Sequence, residues 1–279
     1  MPVGDFNSFC ADHSDEIAEL ADRFSDYEPF SVQIPFVMGW LKQFQAQHRN
    51  LALKLAKRLR YYGTSQIHGL MPRAFEILKE QLNAQTAELN QAIFAPLGRI
   101  GESGPDIARR FRNANNLSSR QSQFVELPRL SEAVFKANQP TVVFLDDFVG
   151  TGKQVSDAWR DVLSSIVPEF VPMYLLVVAA YSDGIRRVER KTPIKVLHVH
   201  LLGGRDQLLS SANQSLSNSE KNAIRNYCEK AGNQPLGFGD LGALVSFAYG
   251  TPNNTISVIR GSEKQRPWKG LLPRWEDLH

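Results

Sequence analysis

The sequence has few cysteines, little net charge and no long apolar run. Only Cys10 and Cys228 occur among its 279 residues, which is too few for a disulfide framework and is typical of a reducing cytoplasm. The 32 basic and 29 acidic residues give a formal charge of +3, far from the excess that by itself indicates nucleic-acid binding. We therefore expect a cytoplasmic protein, and its composition singles out no class of partner.

Signals for export or membrane insertion are also missing. The start, MPVGDFNSFCADHSDE, has no basic region followed by an apolar run, so no secretion signal is expected. The longest apolar stretch, residues 171–181, is about half of the ~20 residues that a membrane span needs. We expect no membrane partner and interpret this stretch as a buried strand.

The first hundred residues mainly show helical periodicity. Residues 36–60 place apolar side chains at helical spacing, which predicts one helix that faces the core. A second periodic segment follows Pro72, a favoured first-turn residue, and should end before Pro96. A short strand is expected near residues 65–70.

Strand-like and helical segments alternate further along the chain, which is typical of a parallel sheet covered by helices. The sequence predicts an α/β fold with a mostly parallel central sheet flanked by helices, a helical N-terminal region (1–94), a core (95–235) and a small C-terminal cap (236–279). The expected strands are 95–100, 141–145, 174–180 and 194–201, and the expected helices of this part are 106–113, 131–137, 155–166, 183–191 and 217–231.

Residues 142–156, VVFLDDFVGTGKQVS, contain the main chemical motif. An apolar strand is followed by two carboxylates and a glycine-containing turn into a helix, and ligands of open α/β sheets bind beyond the carboxyl ends of the strands. Free N–H groups and the helix dipole favour a phosphate there, while glycines allow close approach of the backbone. The predicted phosphate-binding residues are Gly150, Thr151, Gly152, Lys153, Gln154 and Ser156.

Asp146 and Asp147 are expected to accept hydrogen bonds from the ribose 2- and 3-hydroxyls. Their charge would also stabilise a sugar with oxocarbenium character as the bond at C1 breaks. Alternatively, Asp147 only caps a loop and Asp146 faces solvent. A triphosphate-binding loop is excluded, because Asp147 and Gln154 occupy the positions that require glycine and a hydroxyl residue. A dinucleotide fingerprint fails at Val155.

The motif resembles the phosphoribosyl pyrophosphate signature of type I phosphoribosyltransferases, although Lys153 and Gln154 replace the usual second glycine and threonine. The segments PLGFGDLGALVSFAYGTPNNT (235–255) and PWKGLLPRW (267–275) are similar to a narrower phosphoribosyltransferase-like family of prokaryotic conflict systems. That family includes effectors encoded beside retron reverse transcriptases. This resemblance implies a toxic activity in anti-phage defence, held in check by partners such as a reverse transcriptase with its non-coding RNA or DNA.

Enzymes of this fold need a second turn for the pyrophosphate, and residues 101–104 (GESG) are our candidate. Ser103 and Gly104 would offer donors and Arg109 would clamp phosphate oxygens, but such turns are equally common without a function. Mg²⁺ is expected on the pyrophosphate, held mostly by ligand oxygens and water. The polar segment 115–126, which includes Arg120, is expected to be a loop and a lid.

Two further groups have competing interpretations. Asn253 or Asn254 could hydrogen-bond a base, but asparagine after proline is also ordinary turn chemistry, and the nearby Asp240 could reach the same site or cap a strand. His198 and His200 share one side of a predicted strand, yet no cluster has metal-ligand spacing, so no protein metal site is expected.

Three functions remain open at this point. The first is an enzyme that acts at C1 of a ribose 5-phosphate, with phosphoribosyl pyrophosphate or a nucleotide as ligand. The second is a non-catalytic nucleotide sensor, and the third is an interaction subunit of a reverse-transcriptase and nucleic-acid complex. The sequence leaves open whether the chain forms a homo-oligomer.

Overall fold

A computed structural model describes residues 6–85, 88–98, 103–261 and 268–274. The chain divides into two compact units: unit 1 comprises residues 1–64 and 204–279, and unit 2 comprises residues 65–203. The boundaries expected after residues 94 and 235 fall inside these units. In the described parts of the chain, no helix is both long and apolar enough to cross a membrane.

From Ala92 onwards, the described strands alternate with helical segments. The α-helices are α1 (Phe6–Asp12), α2 (Ser14–Arg23), α3 (Ile34–Lys42), α4 (Arg49–Arg58), α5 (Thr64–Ala84), α6 (Ser103–Ala114), α7 (Leu127–Lys136), α8 (Lys153–Ala158), α9 (Ser164–Ile166), α10 (Ser182–Lys191), α11 (Asn218–Ala231) and α12 (Ser257–Arg260). The strands are β1 (Arg60–Tyr62), β2 (Ala92–Pro96), β3 (Thr141–Val149), β4 (Met173–Tyr181), β5 (Ile194–Leu202) and β6 (Val245–Phe247).

Unit 2 is built on a parallel four-stranded sheet in the order β2-β3-β4-β5. Helices cover both faces. On one face, apolar residues of α7, α8 and α10 pack against Phe144 and Leu175 in one core cluster. On the other, Phe94 of β2 packs on Phe111 of α6, and the Tyr174 hydroxyl donates to Gln85, just after α5, at 2.5 Å. The predicted α/β class and its flanked parallel sheet are confirmed.

Unit 1 contains α1 to α4, α11, α12 and a two-stranded sheet. Strands β1 and β6 pair in parallel, with Arg60 opposite Val245. The core of the unit buries apolar residues from α2, α3, α4, α11 and α12. The strand in the C-terminal part of the chain is β6, which thus pairs with a strand about 180 residues earlier in the chain.

The single helix predicted over residues 36–60 is wrong, because α3 ends at Lys42 and α4 begins only at Arg49. Tyr227 of α11 stabilises the break. Its hydroxyl accepts the backbone N–H of Gln45 at 3.1 Å and lies 3.0 Å from Nδ1 of His48. A contact between residues so distant in sequence does not change the local spacing of apolar residues, so the periodicity does not reveal it.

The strand expected near residues 65–70 is also wrong, since helix α5 runs from Thr64 to Ala84 with Pro72 inside it. An internal proline removes a hydrogen bond and crowds the preceding turn. Here Ile67 and Met71 before the proline share a buried face with Ala74 and Leu78 after it. Burial of this continuous face compensates for the local cost.

Several boundaries also differ. Strand β2 begins at Ala92 and ends at Pro96, so Ile93, which we assigned to the preceding helix, is a strand residue. Strand β3 continues four residues beyond Leu145. The polar segment predicted as an irregular loop contains a 3-10 helix, Ser118–Gln123. A π-helical turn, Trp159–Leu163, joins α8 to α9, so residues 153–166 are one helical segment.

Candidate functional site

Asp146 and Asp147 lie within β3, at the point where its neighbour β2 has ended. The last β2 pair joins Pro96 to Leu145, whereas on the other side β3 continues to pair with β4, with Asp146 opposite Val177. Aspartate is unfavourable in strands, so the sequence predicted that β3 ends before these residues. The described pairing with β2 therefore ends one residue before the first carboxylate.

The hydroxyl of Ser103 connects the two carboxylates. Its Oγ lies 2.9 Å from Oδ1 of Asp146 and 2.9 Å from Oδ1 of Asp147. Ser103 is the first residue of α6, which follows β2. The turn predicted to bind pyrophosphate and the pair predicted to bind ribose therefore meet in unit 2. Gly101 and Glu102 lie outside the described residues.

Asp146 is buried, and its Oδ1 also accepts the backbone N–H of Asp147 at 2.9 Å. Burial, together with the neighbouring Asp147 carboxylate, raises the pKa of Asp146 well above its usual range. The alternative in which Asp146 faces solvent is therefore wrong. The site holds one carboxyl that resists ionisation beside one that is half-buried.

This raised pKa predicts how the Asp146→Asn variant depends on pH. A carboxyl whose pKa is raised on folding stabilises the protein at pH values below its pKa in the unfolded chain. This contribution to stability is lost as the pH rises through its pKa in the folded protein. Asparagine does not titrate. The free energy of unfolding of the variant relative to the parent should therefore increase as the pH rises through the range above about 4, the usual pKa of an aspartate. Urea denaturation at intervals across this range measures the difference, and a difference independent of pH would contradict the assignment.

The turn after β3 has the geometry that the sequence predicts for a phosphate loop. Gly152 has a left-handed backbone with φ of 70°, and α8 begins at the next residue. The first N–H groups of a helix have no acceptor within it and favour an anion. Lys153 and Gln154 are exposed at this helix start, and the Lys153 ammonium pairs with Asp157.

The two hydroxyl residues of the loop already have hydrogen bonds. Ser156 Oγ donates to the carbonyl of Gly152 at 2.9 Å, one helical turn back. Thr151 Oγ1 accepts the backbone N–H of Lys153 at a long 3.4 Å. Of the two, only the Thr151 hydroxyl has a proton that this geometry leaves for a phosphate oxygen.

Gly184, in the first turn of α10, fixes the position of the loop. A Cβ at Gly184 would clash with the backbone carbonyl of Gly150, and a Cβ at Gly152 would clash with the carbonyl of Gly184. The loop and the helix thus touch through backbone atoms. Sequence reasoning missed Gly184, and the only signal was a glycine near the start of a charged helix.

The other basic and polar candidates of unit 2 have partners. Arg109 is exposed and pairs with Asp106 at 2.5 Å, so it must leave this carboxylate in order to clamp a phosphate. Arg120 donates to Gln123 at 3.4 Å. Gln123 in turn donates to three backbone carbonyls around the start of β2, at 2.9 to 3.0 Å. The anchored end of the expected lid cannot move without breaking these bonds.

Asn253 and Asn254 belong to unit 1, unlike the other predicted site residues. The Asn254 amide donates to the carbonyl of Phe238 at 2.8 Å, and the Asn253 carbonyl accepts the Phe238 N–H at 2.8 Å. These bonds hold the turn that contains Asp240, an exposed residue with φ of 52°. Asn254 is buried and has a structural partner.

His198 and His200 lie in β5, opposite Val177 and Ala179 of β4. Burial lowers the pKa of His198, which favours the neutral ring. Among the residues that the structure describes, no group of three or more histidine, cysteine, aspartate or glutamate side chains could hold a metal ion.

A parallel sheet in which β3 contains two carboxylates and leads through a glycine turn into a helix is the arrangement expected of a phosphoribosyltransferase-like α/β protein. The family model PRTase-CE matches residues 37–274. The chain therefore belongs to the PRTase-CE family.

Other comparisons found fewer similarities. No curated protein matches the chain. Among solved structures, an orotate phosphoribosyltransferase from Aeropyrum pernix is similar, with a TM-score of 0.33 and 18% sequence identity, over 54% of this chain and 93% of that one.

Proposed function

We propose that this protein acts at C1 of a ribose 5-phosphate, supplied as phosphoribosyl pyrophosphate, a nucleotide or a related ligand. The observation that carries the proposal is that Asp146, Asp147 and Ser103 meet, and that the segment with the two aspartates leads through the turn at Gly152 into the helix that starts at Lys153. Hydrogen-bond acceptors for a sugar diol and backbone donors for a phosphate then lie on consecutive parts of one chain segment. Membership of a phosphoribosyltransferase-like family supports the same assignment.

Each part of the segment would have a distinct task. The 5-phosphate would bind at the turn from Gly150 to Lys153, where the helix dipole favours negative charge. The 2- and 3-hydroxyls would donate to Asp146 and Asp147. As the bond at C1 breaks, the leaving group takes the electron pair, and the Asp147 carboxylate stabilises positive charge on the sugar. An acceptor or water then forms the new bond at C1.

Mg²⁺ would arrive with a pyrophosphate ligand. The described residues offer no cluster of ligands for the ion, and Mg²⁺ in such sites commonly keeps water and substrate phosphates as ligands. The ion would neutralise the charge that develops on the leaving pyrophosphate. Ser103 and Gly104, at the neighbouring turn, are the described residues that we propose for the pyrophosphate side.

Incubation of the purified protein with phosphoribosyl pyrophosphate, nucleotides or NAD tests the proposal. We expect release of pyrophosphate or free base, and we expect the release to fall by at least about 100-fold in the Asp146→Ala/Asp147→Ala double variant, as for other residues that stabilise developing charge. The matched control is Asp161→Asn, which removes an exposed carboxylate of the same unit that pairs with Arg160. Equal turnover by the double variant and the parent would exclude the proposed reaction.

The second candidate is a non-catalytic module that binds a nucleotide and signals to a partner complex. Lys153 favours it, since its pairing with Asp157 at the helix start adds an ion pair that a phosphate must compete with. This candidate is supported if calorimetry detects tight nucleotide binding and prolonged incubation with the nucleotide gives no product. Product in excess of the protein concentration would exclude it.

We also propose the biological setting that the family resemblance implies, a toxic effector of an anti-phage system such as a retron. Expression of the protein without its partners should then arrest growth, and Asp147→Ala should relieve the arrest.

If the chain is instead an interaction subunit, it should co-purify with a reverse transcriptase and its nucleic acid. Such co-purification should be lost on neutralising exposed basic residues of α10, such as Arg187 and Arg190, and retained in Asp147→Ala.

A further inference from the structure

Ser103 occupies a position on the two carboxylates that a sugar hydroxyl would need. Its Oγ is 2.9 Å from Oδ1 of both Asp146 and Asp147. We infer that Ser103 is an occluding hydroxyl, which stands in for a ribose hydroxyl in the ligand-free protein and is displaced when the sugar binds. The inference rests on the proposed function, because it requires that the sugar diol binds to this pair.

The acceptor capacity of Oδ1 of Asp146 makes displacement necessary at this oxygen. Each carboxylate oxygen can accept about two hydrogen bonds. Oδ1 of Asp146 already accepts the backbone N–H of Asp147 at 2.9 Å and faces the Ser103 hydroxyl at 2.9 Å. The N–H belongs to β3 and cannot leave without disrupting the strand. A sugar hydroxyl that approaches this oxygen must therefore replace Ser103.

The replacement also improves the hydrogen bonding of the pair. A serine hydroxyl has one proton, so it cannot donate fully to two carboxylates at once. A ribose diol brings two protons, one for each acidic side chain, so the two side chains no longer share a single donor. The hydrogen bonds of Ser103 to the two acidic side chains are thus weaker than those that the ligand would form.

The backbone that follows Ser103 is held in place by packing, so we expect the displacement to require only a side-chain rotation. A Cβ at Gly104 would clash with the carbonyl of Leu97, and the Leu97 N–H donates to the carbonyl of Leu145 at 2.9 Å. The start of α6 is thereby packed against the end of β2, next to β3. Rotation about χ1 of Ser103 between staggered rotamers frees the carboxylates without moving the helix.

Calorimetric titration with ribose 5-phosphate and with 2-deoxyribose 5-phosphate tests this inference. The Ser103→Ala variant should bind ribose 5-phosphate about fivefold more tightly than the parent, the factor for one net hydrogen bond that no longer has to be broken. The gain should be confined to the ribose ligand, because a sugar with one hydroxyl fewer brings no second proton to take the place of Ser103 on the pair. The Ser103→Thr variant keeps the hydroxyl and should bind like the parent.

The outcomes separate this inference from the proposed function. Weaker or unchanged binding of ribose 5-phosphate by Ser103→Ala would overturn the inference. An equal gain in affinity for both sugars would also overturn it, because the gain would then be a general structural effect of the substitution. If ribose 5-phosphate binds the parent and Asp147→Asn equally, or binds neither, then the proposed function fails and the inference falls with it.

Discussion

Replacement of Asp147 by asparagine should lower the affinity for ribose 5-phosphate by about 100-fold. A hydrogen bond to a charged group contributes about 1.5 to 3 kcal/mol, and about 1.4 kcal/mol corresponds to a factor of ten. Asparagine keeps the size of the side chain but removes the charge and one of the two acceptor oxygens. Isothermal titration of both proteins with ribose 5-phosphate measures the change.

The exposure of Asp147 makes this variant informative. Asp147 is half-buried, in contrast to the buried Asp146, so the substitution should leave folding intact and its effect should appear in binding. Asp161→Asn removes the same charge from an exposed position in the π-helical turn and should bind like the parent. A loss of less than about threefold in Asp147→Asn, under 1 kcal/mol, would show that no charged hydrogen bond to the sugar was removed.

Two identical substitutions, Gly184→Ala and Gly69→Ala, should change stability in opposite directions. Alanine in a helix is normally more stable than glycine by about 1 kcal/mol. Gly69 in α5 has open space at its Cβ position, so Gly69→Ala should be stabilising. At Gly184 the added Cβ meets the carbonyl of Gly150, and overpacking of this kind costs about 1 to 3 kcal/mol. Gly184→Ala should therefore destabilise the protein by about 2 kcal/mol.

Urea denaturation of the two variants gives both free energies. Gly184→Ala should also weaken phosphate binding, because the clash displaces the turn at Gly150, whereas Gly69→Ala should bind ribose 5-phosphate normally. Stabilisation by both substitutions would mean that the close contact between the loop and α10 is absent, and the proposed position of the phosphate would lose its support.

The sequence predicted the parts of the fold that depend on local patterns. Buried strands of a parallel sheet appear as continuous apolar runs, and the expected strands at residues 174–180 and 194–201 lie within β4 and β5 with differences of at most one residue at each end. Strand β3 was predicted to end at Leu145, because aspartate is rare in strands. Pairing with β4 continues past the carboxylates, which is a tertiary effect.

Other errors share this cause. Tyr227 lies about 180 residues from the break between α3 and α4 that it stabilises, and the buried face of α5 keeps the helix intact at Pro72. The division into units is likewise discontinuous in sequence, since residues 1–64 fold with residues 204–279. Composition and periodicity carry no information on such pairings.

The candidate site was predictable in its residue types and less so in its contacts. The carboxylate pair and the glycine turn are adjacent in sequence, so the motif revealed them. The link from Ser103 to Asp146 spans 43 residues, and the contact of Gly184 with the loop spans more than 30. Both depend on which strands are neighbours in the sheet.

A crystal structure of the protein soaked with ribose 5-phosphate tests the central claim most directly. We predict the phosphate at the backbone N–H groups that begin at Lys153, the sugar hydroxyls within hydrogen-bond distance of Asp146 and Asp147, and Ser103 rotated away from both carboxylates. A sugar phosphate bound elsewhere, or one that leaves the two carboxylates without a sugar contact, would contradict the assignment of this site.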